Sequence, residues 1–141
     1  MPGDTCSLEL EAKTASLHEV MDFVRKGAVE ASLPEARIGE LDLMIEELFV
    51  NVCRYAYPGD VPGVVTITYC AAVPGELQVE VADQGVEFNP LAAAPANVTL
   101  ELEDRPIGGL GIFLVKTLAA SLDYRREDGW NRLTFCIAAG S

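Results

Sequence analysis

The chain has 141 residues, of which 50% are hydrophobic and 23% charged. That make-up fits one globular domain burying about two-thirds of its unfolded surface, and it excludes a disordered or collagen-like chain. Ten Lys and Arg against 22 Asp and Glu leave a formal charge of −12, a field that repels phosphate backbones and anionic headgroups, so neither nucleic acid nor a membrane surface is an expected partner. One phosphate-bearing small ligand stays admissible, because a helix N-terminus and a bound cation reverse the potential locally.

In chain order, Cys6 to Lys13 alternates with Leu8, Leu10 and Ala12 on one side, which predicts a first strand. From Ser16 to Glu30, Leu17, Val20, Phe23, Val24 and Ala28 recur at helical spacing, and Ser16 with Glu19 fits a capping box. Pro34 suits the first turn of a second helix, which is expected to run to about Tyr57 before Pro58-Gly59-Asp60 ends it. Val64–Tyr69 and Leu77–Val81 flank Pro74-Gly75 and read as a hairpin. An irregular stretch follows Asp83 as far as about Gly108, long enough to suggest a functional lid. Gly109–Leu122 reads as an apolar helix, and Tyr124–Arg126 with Leu133–Ile137 as a closing hairpin around Asp128-Gly129. The order β, α, α, β, β, lid, α, β, β predicts an α+β two-layer sandwich, a mostly antiparallel sheet covered on one face by about three helices, in one domain over 1–141.

No basic segment with an apolar run opens the chain, and no stretch of about 18 apolar residues occurs, so a cytosolic location is expected. Cys6, Cys53, Cys70 and Cys136 form no CxxC pair, and with the single His18 they make a poor zinc set. Small buried thiols are the expectation.

Three stretches carry chemistry. On the second helix the apolar stripe Leu41, Met44, Ile45, Leu48 and Val52 centres near Leu48, so Glu46 points away from the core while Glu47 and Asn51 share one edge of the stripe. A carboxylate and an amide one turn apart can activate a nucleophile and hold a hard cation through oxygen; a solvated Glu47 is the plainer alternative. The strand Val79–Val81 runs into Asp83-Gln84-Gly85, where Asp83 can accept from an exocyclic amine and Gly85 lacks the Cβ that would block a ring. An ordinary turn reads the same way. Gly108-Gly109-Leu110-Gly111 opens a helix, and its amides with the helix dipole suit a polyphosphate, although close helix packing would also select glycine. The P-loop pattern and the dinucleotide GxGxxG after a strand are both absent.

Taken in order, Glu-x-x-x-Asn, Asp-x-Gly-x-x-Phe and Gly-Gly-Leu-Gly-Ile resemble the N box and the two glycine boxes of the GHKL ATP-binding superfamily. The likeness is greatest to the serine/threonine kinases that act as anti-sigma factors, with Asn51–Pro58, Phe88-Asn89-Pro90 and Gly108–Val115 as supporting detail. It spans essentially the whole chain. By that resemblance Asn51 coordinates Mg²⁺ on ATP, Glu47 is the catalytic base, Asp83 meets the adenine amine and Gly85 admits the base. Gly109 and Gly111 supply backbone contacts to phosphates, Phe88, Gly108 and Leu110 belong to the nucleotide site, and Arg105 stands near the terminal phosphate, where a pairing with Glu103 or Asp104 is the alternative. Tyr55 stands where some members have His, and Asn89 where Asp is more frequent.

The resemblance implies an ATP- and Mg²⁺-dependent kinase that phosphorylates an anti-sigma factor antagonist and sequesters a sigma factor, with pairing of two copies through the first strand. A nucleotide-gated binding module without phosphotransfer would share the same motifs. His18, with only 17 residues before it, lacks room for a preceding dimerisation hairpin and reads as a partly exposed helix residue rather than a phosphoacceptor.

Overall fold

The computed structural model describes residues 5–57, 59, 63–89 and 109–140. Strand β1 (Thr5–Glu11) alternates half-buried Cys6, Leu8 and Leu10 with exposed Ser7, Glu9 and Glu11. The chain then enters helix α1 (Leu17–Glu30) through a 3₁₀ turn at Thr14–Ser16. Ser16 has helical backbone angles and makes no side-chain cap bond, so the expected capping box does not form; an N-cap needs extended backbone, and here Lys13 supplies it. Helix α1 buries Val20, Val24, Gly27 and Ala28. A Cβ on Gly27 would lie 2.7 Å from the Tyr69 ring, so glycine lets α1 approach the sheet closely.

Helix α2 (Glu35–Asn51) follows Pro34, whose extended backbone caps it. It buries Leu41, Met44, Ile45, Leu48, Phe49 and Asn51. Phe49 extends the buried face beyond the predicted stripe, and Val52 is only half-buried. The α geometry stops at Asn51, short of the predicted Tyr57. Val52–Ala56 instead forms a π-helical turn, a local widening that is common at functional sites.

Strands β2 (Val64–Cys70) and β3 (Glu76–Asp83) form the expected hairpin, with Gly75 at φ +84°. Helix α3 (Gly109–Leu118) ends four residues before the predicted Leu122, because the sheet captures the chain: the Ala120 N–H donates to Cys136 O at 2.7 Å. Leu122 accordingly lies on strand β4 (Ser121–Glu127), which turns through Asp128 (φ 52°) and Gly129 (φ 85°) into β5 (Trp130–Ala138). Two successive positive φ values are the signature of a tight hairpin turn that suits strand twist.

The five strands run in the order β1-β2-β3-β5-β4, every neighbouring pair antiparallel. Strand β5 therefore lies between β3 and β4, and Asp83, the last residue of β3, is registered opposite Asn131 near the start of β5. Val65, Ile67, Tyr69, Leu77, Val79, Val81, Leu133, Phe135 and Ile137 point from the inner sheet face into one core with α1, α2 and Val115 of α3. The opposite face is polar, with Arg132 paired to Glu80 and Glu127. This is the expected α+β sandwich. Among the described residues no helix is long and apolar enough to cross a membrane.

Candidate functional site

The apolar inner face of the sheet is interrupted at one end. At the ends of β3 and β5 the inward alternation delivers Asp83 and Asn131, 5% and 6% exposed, instead of apolar side chains. Asn51, 7% exposed, approaches from the end of α2. These three line a cleft, open to solvent, whose walls are Leu48, Val52, Ala56, Val81, Phe88 and Leu133, with Tyr124 beside them. A mostly apolar hollow with a few convergent polar groups is the usual form of a small-molecule site.

Asp83 is held by a network. Its Oδ1 accepts from the Gly85 N–H and from Asn131 Nδ2, each at 2.8 Å. The second amide hydrogen of Asn131 goes to Val86 O at 2.8 Å, and its Oδ1 accepts from the Tyr124 hydroxyl at 2.6 Å and from the Phe88 N–H at 3.3 Å. Arg126 Nη1 donates to Gly85 O at 2.8 Å. Burial pushes the Asp83 carboxyl above its ordinary value, against the opposing pull of Asn131, the Gly85 amide and Arg126.

Gly85 is also required by packing: a Cβ there would sit 2.1 Å from Ala56 O, at the end of the π-helical turn. The Val86 N–H donates to the same Ala56 O at 2.8 Å, so the Asp83–Val86 loop is seated directly on that turn. Tyr57 fastens the arrangement from outside. Its hydroxyl donates to Val64 O at 2.6 Å and accepts from the Gln84 N–H at 2.7 Å. Phe88, 41% exposed, stands at the cleft mouth with its ring centroid 5.9 Å from that of Tyr55.

Glu47 lies one turn before Asn51 on α2, half-buried, while Glu46 is exposed, as the stripe predicts. Burial raises the Glu47 pKa, the adjacent Glu46 charge adds to the shift and Arg54 opposes it. A carboxylate tuned upward in this way is better matched to accepting a proton near neutral pH. Gly109, Leu110 and Gly111 form the first turn of α3, which carries no acidic residue. Gly108, Arg105, Pro90 and most of the expected lid lie outside the described residues.

Asn131, Tyr124 and Tyr57 escaped the sequence reading. For Asn131 a signal existed: it falls in phase with Leu133, Phe135 and Ile137, an amide in an otherwise apolar inward series. His18 is exposed on α1, as expected. All four cysteines are free and half-buried rather than fully buried. Burial pushes Cys53 up to about 11 and raises Cys136, which keeps both as unreactive thiols at neutral pH. Among the described residues no group of three His, Cys, Asp or Glu could hold a metal ion.

Among the described residues, an antiparallel five-stranded sheet, three α-helices and a cleft between the second helix and the ends of the central strands make up the histidine kinase-like fold. Residues 10–137 match the family model of the histidine kinase-like ATPase domain, and the chain belongs to that family. It is 25% identical over 134 residues to the serine/threonine-protein kinase BtrW of Bordetella bronchiseptica, covering 95% of this chain and 94% of that one. It is 27% identical over 137 residues to the serine-protein kinase RsbW of Listeria monocytogenes, covering 89% and 82%. Among solved structures, the RsbU and RsbW domains of a Mycobacterium tuberculosis protein align with a TM-score of 0.66 at 16% identity, over 95% of this chain and 32% of that one. The histidine kinase domain of a blue-light activated kinase from Erythrobacter litoralis gives 0.52 at 21%, over 73% and 45%. Both share the fold.

Proposed function

We propose that this chain is an ATP- and magnesium-dependent protein serine kinase that phosphorylates an anti-sigma factor antagonist and, when the antagonist is released, holds a sigma factor. The observation that carries the catalytic part is the meeting of Asn51 and Asp83, distant in sequence, in the walls of one cleft. The two kinase relatives, each covering most of this chain, support the same reading. The partners rest on the family resemblance.

The donor set fits the nucleotide. Asp83 offers a buried carboxylate to an exocyclic amine, and Leu48, Val52, Val81 and Leu133 supply apolar walls for a ring. It also fits magnesium, which binds through a few protein oxygens together with substrate phosphates rather than a dedicated cage. Asn51 would hold the ion. When bound, magnesium supplies neutralisation of charge across the transferring phosphates. The unopposed first turn of α3 at Gly109 and Gly111 favours the anionic end of the nucleotide.

Glu47 accepts the proton of the acceptor serine as its oxygen bonds to the γ-phosphorus. The bond from that phosphorus to the β,γ-bridging oxygen breaks, giving ADP and phosphoserine. Incubation with labelled ATP and candidate antagonists tests this. Label is expected on a serine of one antagonist; label found only as free phosphate rejects phosphotransfer. A Glu47→Ala variant that binds ATP and still regulates its partner as the wild type does would instead establish a nucleotide-gated binding module.

A further inference from the structure

Asn131 stands at the centre of the cleft's polar network without any role assigned to it. Its amide has two hydrogens and an oxygen with two lone pairs, and all four capacities are used. The hydrogens go to Asp83 Oδ1 and Val86 O, and the oxygen takes the Tyr124 hydroxyl and the Phe88 N–H. Those contacts leave one orientation of the amide: reversing it would set its oxygen against Asp83 Oδ1 and Val86 O, and its NH₂ against the Phe88 N–H. The partners also belong to one functional unit. Asp83 begins the loop, Val86 lies within it and Phe88 closes it at the cleft mouth.

We infer that Asn131, oriented by Tyr124, is a positioning residue that fixes the Asp83 carboxylate and the 83–88 loop for recognition of a 6-amino purine. The inference rests on the nucleotide-binding reading above. With Asn131 and the Gly85 amide both donating to Oδ1, the carboxylate is presented as an acceptor in one rotational setting. A ligand amine at that position is complemented, whereas a 6-oxo group meets acceptor against acceptor. Asn131 lies at the base-reading end of the cleft, on the sheet, while Glu47 and Asn51 lie on α2. Loss of Asn131 should therefore damage discrimination between bases and leave the phosphate and proton-transfer functions nearly intact.

The test compares magnesium complexes of ATP, ITP and inorganic tripolyphosphate by calorimetry on the full chain. Wild type is expected to prefer ATP over ITP by at least about tenfold, the size of a hydrogen bond to a charged group. Asn131→Ala should reduce that ratio to below about threefold while tripolyphosphate affinity stays within about twofold. Tyr124→Phe removes only the hydroxyl that orients the amide, and it should lower the ratio by a smaller factor in the same direction. Should Asn131→Ala fail to fold, Tyr124→Phe decides. A ratio unchanged in the folded variants, or equal losses for ATP, ITP and tripolyphosphate, overturns the inference. Failure of wild type to bind ATP at all would instead overturn the nucleotide-binding reading.

Discussion

The two ends of the cleft are built in opposite ways. At the sheet end, Asp83, Asn131, Tyr124 and the loop amides engage one another in a buried to half-buried network of hydrogen bonds, so these polar groups are already paired and oriented. At the helix end, α2 brings Asn51 into the wall, while Glu47, one turn earlier and half-buried beside the charge of Glu46, is not among the lining residues. Binding gains from a site whose polar groups are already paired and oriented, since little ordering is left to do. Proton transfer gains from a carboxylate that burial holds above its ordinary pKa.

The sharpest way to separate the ends is Glu47→Gln. Phosphotransfer should fall by about 10²- to 10⁴-fold, the usual worth of a general base, with ATP affinity almost unchanged in calorimetry. The same residue sets a pH dependence. If Glu47 is the base, its ionised form must accept the proton, so the wild-type rate should fall as pH drops through a midpoint above that of an ordinary glutamate, and the acid limb should vanish in the variant.

At the sheet end, Asp83→Asn keeps an oxygen for Gly85 and Asn131 but no longer offers a full carboxylate to an amine. ATP affinity should drop by about 10- to 100-fold. Stability should move the other way. Because burial raises the Asp83 pKa, the folded state loses stability as pH rises from the unfolded carboxyl pKa through the folded one. The variant, lacking that titration, should match or exceed wild type in urea melts at neutral pH, and a variant that melts earlier would contradict this account.

The seam between the two ends is the contact of Gly85 with Ala56. Gly85→Ala forces a Cβ to within 2.1 Å of a backbone oxygen and should cost about 1–3 kcal/mol in denaturant unfolding. The smallest effect should come from Tyr57→Phe, which keeps the ring but loses the hydroxyl joining Val64 O and the Gln84 N–H. About 1 kcal/mol of stability should go, with turnover at saturating ATP retained.

Much of this architecture is legible without coordinates, because hydrophobic period and turn chemistry are local. The Asp128-Gly129 turn, the alternation of β1 and the exposure of Glu46 against the half-burial of Glu47 all follow from side-chain spacing. Elsewhere the chain departs from those local patterns. Ser16 is folded into a 3₁₀ turn instead of capping α1, Leu122 is taken by the sheet through the Ala120 hydrogen bond, and the end of α2 widens into a π turn.

The same division holds at the site. Glu47, Asn51, Asp83 and Gly85 stand out by residue type and spacing, since a carboxylate, an amide and a strand-end Asp-x-Gly announce themselves in a linear chain. Their neighbours do not. Asn131 faces Asp83 because β5 inserts between β3 and β4, and the close contact of Ala56 with Gly85 arises only in the folded chain. Local covalent geometry set which side chains could do chemistry; the register of strands distant in sequence decided which of them would meet, because hydrogen bonds and steric contacts act over a few ångströms of space and are blind to separation along the chain.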